Sequence, residues 1–581
     1  MAFDIVIGRD KSDKEKFEDK ALVYVGKGYV SMGNYTSLSN LIWLDVARSH
    51  VILIAGKRGC LTEDSLVFTN SGYKPIKDFN PKEDKIFSFN KDEKKFEWED
   101  AELLNYEISN EKLLEIELED GRKIKLTKEH PLLTTTGKNL LSLLWVTADK
   151  LKKRDNVLSI GKDMNDLIPL KIKSIKEIEG IKKVYDLSVN KNHSFIANGI
   201  ISHNSGKSYT IGVLAEELSD LPEEVKNNIA PLIFDTMGIF WTMKFKNEKE
   251  SELLDQWQLK SKNLPVNIWV PTGYFEEYEK RGLPVNKKFA LAVPELDIED
   301  WLSIFNLQMT DQVSILIQKV ISNLKVKEET ESSGFDLDDI TDSIAKNIEA
   351  DDKTKKSAIS LFEAAKTWKV FANKNEKSTK ISELIKAGKT SILDLSMYSP
   401  TSTFNVRALV IGLVSKKLFN QRMLARKKEE IDSIQHGSSE EKEMPLVWLF
   451  LDEAHEFLPM DEKTPASNAL IQLLREGRQP GISMVLATQQ PGVIHRDVMT
   501  QSDIIISHRL TNKKDLEALN EMMQTYLLEG ITKAMNNLPD LKGSAIVLDD
   551  NSERLYPIRV RPRFTWHGGE APTSVKIKEK I

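Results

Sequence analysis

The chain has 581 residues, a formal net charge of −6, 40% hydrophobic and 29% charged residues, and a single cysteine. That balance fits a globular protein of several domains and excludes a globally basic nucleic-acid binder, so any DNA contact has to come from a local patch. The lone cysteine excludes an intrachain disulfide and argues against a thiolate metal cluster. No run approaches the roughly 20 apolar residues of a membrane span, and the N-terminus lacks a signal peptide's apolar core, so a cytoplasmic location with no membrane partner is expected.

Residues 1–49 read as short strands over 3–7, 21–25 and 29–32, punctuated by Gly26, Gly28 and Gly33, a small β cap. An apolar strand over 51–55 then runs into Gly56, Lys57, Arg58 and Gly59 and stops. Its continuation lies far downstream, at Ser205, Gly206, Lys207 and Ser208, and opens an amphipathic helix reaching residue 218. Joined, the pieces spell G-x-x-x-x-G-K-S. In such a loop the backbone N–H groups and the helix N-terminus cradle phosphates, the lysine reaches the β- and γ-phosphates and the serine ligates Mg2+. Between the halves lie the 145 residues from Cys60 to Asn204, counted inclusively. The sequence predicts an insert that leaves, joins Gly59 to Ser205, and yields a 436-residue ATPase from the 581.

The insert changes texture. Leu114, Ile116 and Leu118 alternate with glutamates, Asp120 and Gly121 follow, and Ile124 and Leu126 alternate with lysines. That is a hairpin with a tight primed turn. Further strands over 86–89, 96–98 and 172–178 make the block all-β. Cys60 opens it, and His203 and Asn204 close it ahead of Ser205. Inside stand Thr127 and His130 in T-x-x-H, Asp186 in VYDLSV, and His193 ahead of an Asn198-Gly199 turn.

This ordered set resembles the intein family, self-splicing elements with an all-β horseshoe (Hint) fold. The resemblance implies that the Cys60 thiol, whose thiolate is accessible near neutral pH, attacks the Gly59 carbonyl and turns that amide into a thioester. His130 and Thr127 would supply the donor to the amide nitrogen and the oxyanion stabilisation. The Ser205 hydroxyl would then take over the acyl group, with Asp186 coordinating the steps. Asn204 would cyclise onto its own carbonyl, assisted by His203 and His193, and release the Ser205 amine for the ester-to-amide shift. Every step is intramolecular, so splicing needs no cofactor. Only 53 residues separate His130 from Val184, too few for an endonuclease domain, so the block reads as a mini-intein. The alternative is an inert inserted β domain.

Outside the insert, strands over 230–234 and 390–395 lead to Asp235 and Asp394, and 296–385 reads mainly helical, with Val313, Leu316, Ile317, Val320, Ile321 and Leu324 on one face. Residues 328–338 and 433–443 read as loops. The helix after Asn405 carries Arg422, Arg426, Lys427 and Lys428, read as a solvated helix end ahead of a DNA contact. An apolar strand then ends in Asp452 and Glu453. Asp452 would hold Mg2+ and Glu453 would polarise the attacking water. A strand over 483–487 ends beside Gln489, placed to sense the γ-phosphate; Arg475, Arg478 and Arg509 are candidates for an arginine finger in trans.

LDEAHEFLP, LLREGRQPGISMVLATQQP, SDIIISHRLTNKKD and the closing RPRFTWHGG together resemble the HerA/FtsK superfamily, the HerA branch most closely. The resemblance implies an α/β RecA-like phosphate-loop core with a helical insertion, ATP and Mg2+, a hexameric ring that threads DNA, and a partner nuclease in end processing. The expected domains are 1–59, 60–204 and 205–581, with the helical region about 296–385. A rival reading from another class is an ATP switch that moves protein partners without translocating DNA.

Overall fold

Strand Val51–Ala55 is apolar at every position because both its faces are covered. Val51, Leu53 and Ala55 enter a core built with the helices between 298 and 476, whereas Ile52 and Ile54 enter a second core with helix Lys207–Ser219. This is a computed structural model. It describes residues 4–567 except 33–34, 57–60, 81–82, 91–94, 100, 108–111, 129, 136–142, 149–150, 162–165, 182, 190–193, 204–206, 332–333, 375, 399–403, 437–443, 509, 511–516, 520–533, 536–537, 540 and 542.

The host sheet has eight neighbouring parallel strands in the order Ile504–His508, Val51–Ala55, Ile482–Thr488, Leu446–Leu451, Ile229–Asp235, Ser391–Asp394, Asn267–Pro271 and Lys287–Phe289. Ser544–Asp549 and Arg554–Val560 extend it antiparallel beyond Ile504–His508, and Leu22–Met32, Tyr35–Asp45 and Ile5–Ile7 complete that edge. The central strand of the phosphate loop and the strand leading to Asp452 are thus separated by one strand, Ile482–Thr488. Helices Ile298–Phe305, Gln312–Glu331, Leu337–Lys346 and Asp352–Lys366 form the helical insertion. Among the described residues no helix is long and apolar enough to cross a membrane.

Several local expectations need correction. The N-terminal segment is not a cap of short strands: Leu22–Met32 is one long strand that runs through both glycines, with register shifts between Tyr24 and Gly26 and between Lys27 and Tyr29. Gly26 marks close approach, since a Cβ there would lie 2.1 Å from the Arg559 carbonyl oxygen. Helix Lys11–Phe17 was not foreseen; it carries no apolar period and rests on Asp10, whose carboxylate accepts the Asp13 N–H at 2.7 Å. Helix Gln312–Glu331 runs into the span read as a loop, and Asp336 caps the next helix. The loop expected over 433–443 begins later, because helix Val406–His436 extends through residue 436. Arg422 does not belong to a solvated cluster. It is fully buried, donating to Pro480 O at 2.6 Å, Met444 O at 2.9 Å and Glu429 Oε1 at 2.9 Å.

The insert is all-β. The long strand Leu167–Ile178 is shared: its first half pairs with Asn156–Ile160 and its second with Leu113–Leu118, which ties two halves into one continuous sheet. The predicted hairpin joins Leu113–Leu118 to Lys123–Leu126, but its loop has three residues in place of the two-residue primed turn. Leu118 N–H donates to Arg122 O at 2.9 Å and Gly121 takes φ 90°. The stretch between His130 and Val184 is occupied by strands of this same fold.

Candidate splice and nucleotide sites

Strands Leu61–Thr62 and Ile200–His203 lie just inside the expected ends of the insert, and their neighbours are the predicted catalytic segments. Leu61, which follows Cys60 in the chain, pairs with Leu126 on one side and Tyr185 on the other. The residues after those partners are Thr127 and Asp186. At the far end, strand Ile200–His203 pairs with Pro131–Thr135, through Leu132 and Ser202, and with Ser194–Ala197, through Ser194 and His203. The residues preceding those two partner strands are His130 and His193. A single turn connects the two sets: the His130 N–H donates to Thr127 O at 3.1 Å. Thr127 and His130 are both buried, and the His130 ring meets Phe195 edge-on at 6.3 Å. Cys60, His193, Asn204 and Ser205 lie outside the described residues, as do the side chains of Asp186 and His203.

The host segments flanking the insert also converge. Gly56 donates its N–H to Thr488 O at 3.3 Å at the end of strand Val51–Ala55. Helix Lys207–Ser219 begins at that same end of the parallel strands, where Ser208 Oγ donates to Asp452 Oδ2 at 2.7 Å. Asp452 follows Leu446–Leu451, and its Oδ1 accepts the Glu453 N–H at 2.9 Å. Gln489 Nε2 donates to Glu453 Oε1, and His455 Nδ1 lies 3.6 Å from the other oxygen. The predicted hydroxyl, two acids and glutamine therefore converge on one edge. Lys57, Arg58, Gly59, Gly206 and Arg509 fall outside the described residues, as does the Lys207 side chain.

Residues 66–204 match the family model of the intein splicing domain, and residues 205–418 match that of the helicase HerA central domain. The chain holds an intein splicing domain and a HerA central domain. It is similar to the DNA double-strand break repair helicase HerA of Pyrococcus furiosus, 24% identical over 184 residues covering 28% of this chain and 31% of that protein. It is also similar to a probable DNA double-strand break repair helicase HerA of Methanocaldococcus jannaschii, 36% identical over 69 residues covering 12% and 14%. The chain thus spans less than a third of the length of these relatives. Similar solved structures include a DnaB intein from Synechocystis sp., at 27% identity over 26% of this chain and 99% of that one, TM-score 0.22. Another is the DnaX mini intein from Spirulina platensis, at 26% identity over 25% and 99%, TM-score 0.22.

Two of the three arginine candidates are held by partners within the chain. Arg475 is exposed and bonded to Asp497 at 2.7 Å, and Arg478 donates to the Gln501 carbonyl. Arg478 thereby sits where the chain enters strands Ile482–Thr488 and Ile504–His508, at the end of the sheet opposite Ser208 and Asp452.

Sequence reasoning missed what stands behind Glu453. Asp235 and Asp394 face each other across adjacent strands, and Arg407 and Glu456 lie beside them. Burial, reinforced by the Asp394 charge, pushes Asp235 up to about 7. Burial, with the Glu453 charge adding, also pushes Glu456 up to about 7. The signal was available as apolar strands that each end in an acid.

Proposed function

We propose that the chain is a precursor whose intein, residues 60–204, excises itself and ligates Gly59 to Ser205, giving a ring-forming, ATP-hydrolysing DNA translocase of the HerA type. The observation that carries this reading is the Thr127–His130 turn. It links a strand neighbour of Leu61 to a strand neighbour of Ile200–His203, segments that flank the two expected ends of the insert and lie well over a hundred positions apart in the chain. Proximity of that kind is what intramolecular acyl transfer requires. In the proposed sequence the Cys60 sulfur displaces the amide nitrogen from the Gly59 carbonyl, and the Ser205 oxygen then displaces that sulfur. Asn204 Nδ2 closes on its own carbonyl as the bond to Ser205 breaks, and the freed Ser205 amine takes the acyl group from its own oxygen.

For the ligated product, the reading rests on Ser208, Asp452, Glu453 and Gln489. Ser208 and Asp452 are hard oxygen donors that fit Mg2+, which would draw its remaining ligands from water and phosphate. Mg2+ would neutralise charge developing on the phosphates. Glu453, oriented by Gln489, would polarise the attacking water. DNA as substrate, a hexamer, an arginine finger in trans and a nuclease partner belong to this same proposal.

The test is intact mass of purified protein before and after incubation. Conversion of the 581-residue species into 436- and 145-residue products supports splicing. The Cys60→Ala, Asn204→Ala double variant is expected to stay at full mass and hydrolyse no ATP. Retention of full mass by the unaltered chain would rule splicing out. Hydrolysis that no DNA stimulates, even at low salt where phosphate contacts are strongest, would favour the ATP switch acting on protein partners.

A further inference from the structure

The acid assigned to water sits on a tethered turn. Glu453 takes φ 50°, ψ 45°, a left-handed conformation unfavourable for a residue with a Cβ. It opens the short turn Ala454–Glu456, whose last residue donates its N–H to Glu453 O at 2.9 Å. The Glu456 carboxylate in turn faces Arg407, with Nη1 3.9 Å from Oε2. Arg407 is 7% exposed and is anchored from behind, its Nε donating to Leu395 O at 3.3 Å and its Nη2 to Ser396 O at 3.5 Å.

The placement of Arg407 needs an explanation. It lies in the first turn of Val406–His436, the end of a helix where the dipole disfavours a cation. Burying a guanidinium there is justified by the acids around it: Glu456, Asp394 and Asp235 all act on its charge. Of these, Asp235 and Asp394 are held by their own local donors. Asp235 accepts N–H bonds from Gly238, Ile239 and Phe240, and Asp394 accepts from the Ser396 N–H and hydroxyl. Glu456 instead stands next to the like charges of Glu453 and Asp452.

We propose that Arg407 is a positioning residue for Glu453, acting through Glu456: its charge holds the 454–456 turn in place and thereby fixes the direction of the water-polarising carboxylate. Without it, an ionised Glu456 is repelled by Glu453 and Asp452, and the turn relaxes outward and carries Glu453 with it. The inference rests on the reading of Glu453 as the hydrolytic acid.

The experiment uses the full chain, expressed and allowed to splice, with kcat and KM measured for MgATP. Arg407→Gln is expected to lower kcat by about tenfold or more with KM changed less than about twofold, because the loss falls on the transition state and not on binding. Arg407→Lys is expected to keep most of kcat. Glu456→Gln added to Arg407→Gln is expected to restore kcat to within about threefold of the parent, since the unbalanced charge is gone. A merely structural arginine would give a defect that neither Lys nor the double variant relieves, and that result overturns the inference. So does an Arg407→Gln protein with unchanged kcat. A parent chain that splices yet hydrolyses no ATP fails the ATPase reading itself; an active parent with an indifferent Arg407→Gln fails only the positioning role.

Discussion

His50 stands one residue before the phosphate-loop strand, 3% exposed, with Nδ1 2.6 Å from Asp503 Oδ2 and Nε2 3.8 Å from Asp45 Oδ2. Burial by itself would lower its pKa, but the carboxylates of Asp45 and Asp503 outweigh burial and raise it to about 9 from an ordinary 6.5. A histidine whose folded value exceeds its unfolded one adds stability that is whole below about 6.5 and is lost as pH climbs through about 9. The host domain of the splice-blocked chain is therefore expected to weaken between pH 6.5 and 9.5, with His50 contributing on the order of 3 kcal/mol. Denaturant titrations at several pH values check this. His50→Gln should flatten the slope above about pH 7.5, because Asp235 and Glu456, each raised to about 7, act in the same direction but at lower pH. An unchanged slope in that variant contradicts the assignment. In the sequence His50 is only the residue ahead of an apolar strand; its partners lie 5 residues before and 453 after it, beyond any local pattern.

Helix Lys207–Ser219 shows what an element owes to a distant segment. Glu216 on this helix is fully buried and accepts from Arg561 Nη1 at 3.1 Å, Arg563 Nε at 2.8 Å and the N–H groups of Phe564 and Thr565 at 3.1 Å each. Arg563 is fully buried too and packs over Gly212, where a Cβ would lie 2.5 Å from its guanidinium. Removing one member of a buried, hydrogen-bonded ion cluster strands the rest, so Arg563→Ala is expected to destabilise the host by about 3–5 kcal/mol. Chemical denaturation of the splice-blocked chain measures it, and a loss below about 1 kcal/mol would mean that the cluster relaxes without penalty. The tail was noticed in the sequence as a family resemblance, but its physical partner was not. Two adjacent glutamates, Glu216 and Glu217, set between Val213, Leu214, Ala215 and Leu218 are the sign that cations have to come from elsewhere. Strands were legible where both faces are buried, as in Leu446–Leu451 and Ile482–Thr488, because burial forces an unbroken apolar run. The edge hairpin Leu22–Met32 with Tyr35–Asp45 was not, since its register shifts break the alternation that marks a strand.

At the scale of the molecule, the segments on either side of the insert are interleaved. Strand Val51–Ala55 lies between Ile482–Thr488 and Ile504–His508, and Leu22–Met32 lies against Arg554–Val560. The upstream piece is thus held by backbone ladders and two cores regardless of the peptide bond at Gly59. In an Asn204→Ala chain cleaved at Cys60 by a thiol reagent, residues 1–59 are expected to co-elute with the remainder on gel filtration and to separate only on a denaturing gel. Elution of that fragment alone would mean that the ladders do not hold it. The intein and HerA segments were legible because their motifs are local strings. The interleaving was not, because a sheet order is set by pairings between residues hundreds of positions apart.

Synthesis on the ribosome runs in one direction, and the sheet order turns that into a timetable. Every strand of the insert has emerged by residue 204, whereas Leu22–Met32 must wait for a neighbour that ends at residue 560. The intervening domain can mature on a nascent chain whose surroundings are still unmade, so excision and host assembly are set to race while the polypeptide is being born.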